Sequence, residues 1–113
     1  MALKSDLFID DSKIEWENAG EGLRRKVLGY DDKLMMVKVE FQKGAVGYLH
    51  KHTHTQVSYI ISGKFEIQIG EEKQILKEGD CYFTPSNVEH GAVNIESGIL
   101  IDVFTPVRED FLK

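Results

Sequence analysis

The chain has 113 residues, of which 42% are apolar and 29% are charged. This length suits one domain with a packed core, and the composition excludes a disordered, collagen-like or coiled-coil protein. Asp and Glu number 19 against 14 Lys and Arg, and the resulting formal net charge of -5 disfavours a general nucleic-acid-binding role.

The N-terminus and the single cysteine suggest a cellular setting. The first six residues lack the apolar stretch of a signal peptide, and no apolar run elsewhere approaches membrane-spanning length. We therefore expect a cytoplasmic protein with no membrane partner. Cys81 is the one cysteine, so it forms no disulfide within the chain, and we predict a small buried apolar residue rather than a nucleophile.

Short apolar runs separated by turn residues are typical of an all-β protein. The turn at residues 29–33 is predicted to join the first two strands into a hairpin with one buried face. Gly63 is predicted to turn a second hairpin between the third and fourth strands. The predicted strands are residues 23–28, 34–42, 57–61, 65–69, 74–76, 81–84 and 99–104.

The even spacing of these strands, without an amphipathic helix of useful length, predicts a sandwich or small jelly-roll barrel. We expect one domain over residues 1–113, with an N-terminal arm (1–22), a barrel (23–105) and a C-terminal tail (106–113). The arm and the tail are expected to be irregular or briefly helical. Alternation could turn one or two of the basic residues 24–26 of the first strand inward, and these residues are interpreted as solvated by default.

The four histidines lie in only two places in the chain. His50, His52 and His54 alternate within one short segment, and His90 lies apart. In an extended strand residues two apart share a face, so either neighbouring pair of the cluster could reach one metal ion. Neutral imidazole suits the later transition metals rather than magnesium or calcium, so the cluster predicts a transition-metal site.

These histidines lie within two motifs that resemble those of the cupins, G-x5-H-x-H-x3-E-x6-G and G-x5-P-x-G-x2-H-x3-N. Two positions differ: Gln56 stands where cupins usually have glutamate, and Asn87 replaces a turn glycine. Asparagine tolerates the left-handed backbone better than most residues, so the second change is mild. The matching positions are Gly44, His50, His52, Gln56 and Gly63 in the first motif and Gly79, Pro85, Asn87, His90 and Asn94 in the second.

The resemblance implies a cupin barrel, an all-β double-stranded β-helix, that holds one divalent transition metal (Ni, Zn, Fe or Mn) on His50, His52, Gln56 and His90. His54 is then a neighbour of the ligands. Three neutral imidazoles and an amide leave the double charge of the ion in place, which favours anionic oxygen ligands and Lewis-acid chemistry. The competing interpretation is a barrel without metal and with hydrogen-bonded interior histidines.

Asp102 interrupts the apolar strand at 99–104. It shares one face of that strand with Leu100 and Phe104. A carboxyl beside apolar neighbours can act as a general acid or base near neutral pH. The alternative is that Asp102 is a solvated residue on an outward face.

Along most of its length the chain resembles the KdgF-type uronate linearases, small single-domain cupins of pectin and alginate breakdown. Trp16, Gln56 and the closing segment at 102–111 carry the resemblance. It implies a metal-dependent, non-redox ring opening of 4,5-unsaturated monouronates to linear 5-keto-4-deoxyuronates. The alternatives are a metal-dependent dioxygenase acting on a small organic acid and a non-catalytic cupin that binds a sugar acid.

From the chemistry of this reaction we hypothesise a role for each remaining candidate. Asp102 transfers a proton, Arg108 holds the substrate carboxylate, and Phe104 packs on the sugar ring. The simpler alternatives are that Arg108 pairs with Glu109 or Asp110 on the surface and that Phe104 belongs to the core. The resemblance also implies a homodimer, with the N-terminal arm around Trp16 as the suspected contact.

Overall fold

A computed structural model describes residues 3–112, which form ten β-strands and two short 3₁₀ turns, Asp11–Lys13 and Glu109–Leu112. The predicted arm and tail also include residues 1, 2 and 113, which lie outside the described residues. The strands are β1 (Glu17–Gly20), β2 (Leu23–Tyr30), β3 (Met35–Phe41), β4 (Val46–His50), β5 (Thr55–Ile60), β6 (Lys64–Ile69), β7 (Glu72–Lys77), β8 (Cys81–Thr84), β9 (His90–Glu96) and β10 (Gly98–Thr105).

The strands form two antiparallel sheets, which confirms the predicted all-β class. One sheet has six strands in the order β1, β2, β3, β10, β5, β8, and the other has four in the order β4, β9, β6, β7. Burial alternates along the central strands, as in β5, where Gln56, Ser58 and Ile60 are buried and the residues between them are exposed. The buried faces of the two sheets enclose the core.

The core has two apolar clusters. In one, the rings of Phe41 and Phe65 meet edge to face with centroids 5.0 Å apart, a favourable arrangement for aromatic pairs. The other consists of Met35, Val37, Phe104 and Val107, so the last strand and the start of the C-terminal tail pack against β3. Among residues 3–112 no helix is long and apolar enough to cross a membrane.

The first predicted hairpin is confirmed by the pairing of β2 with β3, but the hairpin predicted around Gly63 is wrong. β5 pairs with β10 and β8, whereas β6 pairs with β7 and β9, so the chain crosses between sheets at Gly63. Gly63 has a φ of +86°, and a Cβ there would lie 2.6 Å from the carbonyl oxygen of Glu96. Alternation identifies strands but not their partners, and this crossing explains the glycine of the motif.

The predicted elements also omit three strands, β1, β4 and β9. The sequence of β1, Glu-Asn-Ala-Gly, has no apolar alternation, so this strand depends on its pairing with β2 and on the contact of Glu17 with Arg25. β4 ends at His50, so His52 and His54 lie beyond it. The three histidines therefore do not share one extended strand.

Two surface expectations also need correction. Cys81 is exposed rather than buried, because it occupies an outward position on the edge strand β8. Of the basic residues in β2, only Arg24 is well exposed, and it pairs with Glu40 on the neighbouring strand. Lys26 is only 7% exposed and donates a hydrogen bond to the main-chain oxygen of Asp11. Arg25 points to the inner side of the sheet and lines a cavity.

Candidate metal centre and its cavity

Three of the predicted metal ligands converge in the structure. His50 at the end of β4, His52 in the loop that follows and His90 at the start of β9 each offer a ring nitrogen, and these atoms all lie within 4.8 Å of one another. His50 and His90 are paired across the neighbouring strands β4 and β9. Three imidazoles at this separation can hold one metal ion.

The hydrogen bonds of the three rings leave the same nitrogen free in each. Nδ1 of His50, His52 and His90 donates to the main-chain oxygens of Tyr48, His54 and Val88, at 2.8, 3.0 and 2.9 Å. A carbonyl only accepts, so Nδ1 carries the proton and Nε2 keeps its lone pair. Within residues 3–112, Nε2 of His52 and of His90 is buried and has no hydrogen-bond partner. These orphaned acceptors fit a metal ion.

The electrostatics of His52 and His90 favour the neutral form of both rings. Burial, with a smaller contribution from Arg108, lowers the pKa of His52 to about 4. Burial also lowers the pKa of His90. Both rings are therefore neutral at physiological pH, which is the form that binds a transition metal.

The loop carrying His52 is held in place by the second cupin motif. The main-chain N–H of Asn87 donates to the oxygen of His52 at 2.8 Å, and the hydroxyl of Ser86 donates to the oxygen of Thr53 at 2.6 Å. Asn87 has a φ of +63°, which confirms the left-handed position expected from its place in the motif. The turn that precedes His90 thus also positions His52.

Gln56 and Asp102 are brought together by the pairing of β5 with β10. The amide nitrogen of Gln56 donates to the hydroxyl of Ser58 at 2.9 Å and to Oδ1 of Asp102 at 3.0 Å. The Ser58 hydroxyl in turn donates to the same Oδ1 at 2.5 Å. These bonds occupy both N–H groups of Gln56, so Oε1 is the atom it has left for a metal ion, and they leave Oδ2 of Asp102 for a ligand.

Asp102 lies on the inner face of the six-stranded sheet, so the alternative of a solvated outward residue is wrong. Leu100 and Phe104, on the same face, are 2% and 3% exposed. Burial raises the pKa of the Asp102 carboxyl to about 6, although its bonds with Ser58 and Gln56 act in the opposite direction. A carboxyl with this environment suits proton transfer near neutral pH.

A cavity of about 630 Å³ opens beside these groups, and His50, Asp102 and Arg108 all contribute to its lining. Arg108 lies in the C-terminal tail, and its side chain is 13% exposed. It also donates two hydrogen bonds to Asp110, from Nε at 3.1 Å and Nη2 at 2.9 Å. The surface pairing considered as an alternative is therefore present, and it holds the guanidinium at the cavity wall.

Phe104 lies beneath the site rather than in the described cavity lining. It belongs to the second core cluster, and its ring packs against His52 with centroids 5.7 Å apart. The guanidinium carbon of Arg108 lies 5.1 Å from its ring centroid. This burial differs from the expectation that Phe104 packs on a sugar ring; it supports the positions of His52 and Arg108 instead.

His54 links the histidine loop to the C-terminal tail. Its Nε2 donates to the main-chain oxygen of Val107 at 3.2 Å, and its own main-chain oxygen accepts from His52. The ring is thus next to the three converging imidazoles without belonging to that group. This agrees with the interpretation of His54 as a neighbour of the ligands.

The predicted site omits Ser58, Arg25 and Phe111. Ser58 interrupts the otherwise apolar stretch at 57–61, and that interruption was an available signal. Arg25 belongs to a run of three basic residues, and which of them points inward depends on the register of β2. Phe111 contacts Arg108 within the same tail and also Arg25. The contact with Arg25 joins distant parts of the chain, and no local pattern indicates it.

The two antiparallel sheets and the three converging imidazoles define a cupin. In agreement, the cupin-domain family profile matches residues 37–104, which span the histidine motifs and β10. The chain belongs to the KdgF family of cupins, since it is 50% identical over 107 residues to the pectin degradation protein KdgF of Dickeya dadantii (strain 3937). That alignment covers 93% of this chain and 96% of the relative.

Two solved structures show the same similarity to cupins. An RmlC-like cupin from Shewanella frigidimarina NCIMB 400 is 46% identical, with a TM-score of 0.93 and coverage of 96% of this chain and 97% of that one. KdgF from Halomonas sp. is 35% identical, with a TM-score of 0.90 and coverage of 95% and 99%. The similarity therefore extends over nearly the whole barrel.

Proposed function

We propose that this protein opens the ring of 4,5-unsaturated monouronates, the products of pectin and alginate lyases, to give linear 5-keto-4-deoxyuronates. The observation that carries the proposal is one cavity whose wall combines His50 of the histidine centre, the half-buried carboxyl of Asp102 and the guanidinium of Arg108. The name of the Dickeya dadantii relative, a pectin degradation protein, supports a substrate of this class.

The reaction needs proton transfer but no oxidant. The substrate is a cyclic enol ether with a hemiacetal at C1 and a carboxylate on C5. When the bond between C1 and the ring oxygen breaks, the C1 hydroxyl loses its proton and becomes an aldehyde, and the ring oxygen becomes the ketone oxygen on C5. C4 takes up one proton as its double bond to C5 is lost. Protons and electrons therefore balance within one molecule.

We assign the transfer of this proton to Asp102. Gln56 and Ser58 hold the carboxyl at Oδ1, so Oδ2 is free to accept the proton released at C1 and to return it at C4. Arg108 holds the substrate carboxylate, since its planar fork matches a carboxylate and Asp110 already fixes its orientation. Fixing the substrate in this way keeps C4 within reach of one proton carrier.

The histidine centre completes the site. His50, His52 and His90 would hold a divalent transition metal (Ni, Zn, Fe or Mn) through Nε2, with Oε1 of Gln56 as the fourth donor. A metal bound there supplies Lewis-acid polarisation of a substrate oxygen. The hydrogen bonds of Nδ1 keep the three rings in place before substrate arrives, and the bonds of Gln56 with Ser58 and Asp102 fix its amide.

The direct test is to incubate the metal-loaded protein with freshly prepared unsaturated galacturonate in D₂O and to follow the products by NMR. We expect the linear keto acid to form faster than it does spontaneously, with deuterium introduced at C4. Product formation at only the spontaneous rate, with metal confirmed bound, would overturn the proposal for this substrate.

We further propose that the protein is a homodimer that pairs through the outer face of the six-stranded sheet. Val57, Tyr59 and Phe83 lie next to one another on β5 and β8 and are 42%, 47% and 55% exposed. An apolar face of this kind next to a sheet edge favours association with a second copy. Trp16, the suspected contact, is instead covered by its own chain's Arg24 and Lys26.

Light scattering coupled to size-exclusion chromatography tests the dimer. Phe83→Glu should convert it to a monomer, whereas Ile75→Glu, at an exposed position on β7 in the other sheet, should leave the mass unchanged. A monomeric wild type, or a Phe83→Glu variant that remains dimeric, would overturn this interface.

A further inference from the structure

Arg25 and Arg108 come from opposite ends of the chain but meet in the same cavity. Arg25 projects from β2 toward the inside and is 23% exposed, and Arg108 comes from the C-terminal tail. Their guanidinium carbons lie 3.8 Å and 4.2 Å from the centroid of the Phe111 ring. Because both distances are measured from the same ring centroid, the two guanidinium carbons are no more than about 8 Å apart.

Each guanidinium is fixed on its outer side by one carboxylate. Glu17 accepts from Nε of Arg25 at 2.7 Å, and Asp110 accepts from Nε and Nη2 of Arg108. Both acids are about half exposed, so they are surface partners rather than buried ones. In the described part of the chain, Arg25 has no hydrogen-bond partner on its two terminal nitrogens, which therefore remain available to a ligand.

Cations outnumber acids among the side chains that line the cavity, while the two acids that pair with its arginines, Glu17 and Asp110, do not line it. Arg25, Lys43 and Arg108 line the cavity against two acids, Glu21 and Asp102, of which Asp102 has its pKa raised by burial. Two guanidiniums held near one aromatic ring form a pair of planar forks. Such forks bind carboxylates through charge-assisted, often bidentate hydrogen bonds.

We propose that Arg25 is a second carboxylate-binding residue and that the substrate carboxylate is shared between Arg25 and Arg108 beside Phe111. This inference rests on the proposed function and extends it, because two cations on one carboxylate make the site selective for sugar acids over neutral sugars. The competing explanation is purely structural: Arg25 would only attach β1 to β2 through Glu17.

The neighbouring residue provides a matched control. Arg24 lies on the same strand, points to the opposite face and pairs with Glu40 on the surface. Arg25→Gln removes the charge while keeping most of the stem, and Arg25→Lys keeps the charge but loses the planar fork. Arg24→Gln makes the same chemical change outside the cavity, and Glu17→Gln weakens the contact between β1 and β2 without removing the guanidinium.

The experiment combines steady-state kinetics on unsaturated galacturonate with calorimetric binding of saturated galacturonate and of galactose to the metal-loaded protein. We expect Arg25→Gln to raise KM by on the order of 10-fold while kcat changes far less, as loss of a charge-assisted contact in binding predicts. Its affinity for galacturonate should fall and its affinity for galactose should not. Arg25→Lys should be intermediate, Arg24→Gln should resemble wild type, and Glu17→Gln, which keeps the guanidinium but loosens it, should have a smaller effect than Arg25→Gln.

A KM and a galacturonate affinity for Arg25→Gln equal to those of Arg24→Gln would overturn the inference, as would a Glu17→Gln variant that reproduces the full effect of Arg25→Gln. The calorimetric binding measurements distinguish a failure of the Arg25 proposal from a failure of the proposed function. If wild type fails to turn over unsaturated galacturonate, the proposed function fails, while selective binding of galacturonate and its loss in Arg25→Gln still test Arg25.

Discussion

The side-chain amide of Gln56 donates a hydrogen bond of 3.0 Å to Oδ1 of Asp102, and this contact joins the first histidine motif to the last strand of the barrel. Glutamate, the usual cupin residue at this position, has no N–H to donate and would set a second negative charge against Asp102. The glutamine therefore allows a half-buried aspartate to lie next to the first histidine motif.

Gln56→Glu tests that relationship. We expect turnover to fall by at least about 10-fold, because two carboxylates at hydrogen-bond distance disturb the proton that Asp102 must transfer. Metal content should be retained, since a carboxylate is itself a metal ligand. Initial rates and metal analysis check both parts, with Gln74→Glu on the exposed strand β7 as the control. A Gln56→Glu variant with the wild-type rate would contradict this view of the pair.

His90→Ala should abolish stable metal binding. His90 is 4% exposed and supplies one of only three imidazoles in the group, so its loss leaves two imidazoles and an amide. After dialysis, elemental analysis should give about one metal per chain for wild type and far less for the variant. His54→Ala, which removes a ring bonded to Val107 instead, should keep its metal. Equal metal content in His90→Ala and wild type would exclude His90 as a ligand.

Phe104→Ala should act mainly on stability. The ring is 3% exposed and packs with Met35, Val37 and Val107, so its removal should cost about 3–5 kcal/mol of unfolding free energy. Phe8, which is 92% exposed, provides the control through Phe8→Ala. Chemical denaturation measures the unfolding free energy of both variants. An unchanged stability together with a large rise in KM would instead place the Phe104 ring against the substrate.

The segment around Asp11 should stabilise the protein in a pH-dependent way. Asp11 contacts Lys38 at 2.6 Å and the buried Lys26 at 3.3 Å, and the hydrogen bond with Lys38 lowers the pKa of Asp11. A lowered folded-state pKa means that the stabilisation is complete above the unfolded pKa and is lost as the pH falls through the folded one.

Asp11→Asn should therefore lower Tm at neutral pH, and the difference from wild type should shrink as the solution is acidified below the ordinary carboxyl range. Thermal melts across this range measure the effect, and Asp6→Asn, at an exposed position, is the control. A gap in Tm that is the same at every pH would mean that the carboxylate charge is not its cause.

Local patterns in the sequence predicted the features that depend on nearby residues. Alternation marked most strands, since it depends on neighbours a few residues apart. The histidines that converge were selected by the resemblance to the two cupin motifs. The relationships that complete the site depend on pairing between distant strands. Gln56 meets Asp102 because β5 pairs with β10, and Arg25 meets Arg108 because the tail folds back over β2. The same limit explains the hairpin wrongly predicted around Gly63, where alternation carries no information on which sheet a strand joins.

The most direct test of the proposed reaction is the ultraviolet-monitored loss of the conjugated double bond in freshly made unsaturated galacturonate, measured against the spontaneous rate. Wild type should accelerate this loss, chelated protein should lose the acceleration, and Asp102→Asn should fall by on the order of 100-fold or more while keeping its metal. Wild type at the spontaneous rate with metal confirmed bound, or Asp102→Asn with full activity, would contradict the assignment of this cavity as a ring-opening site.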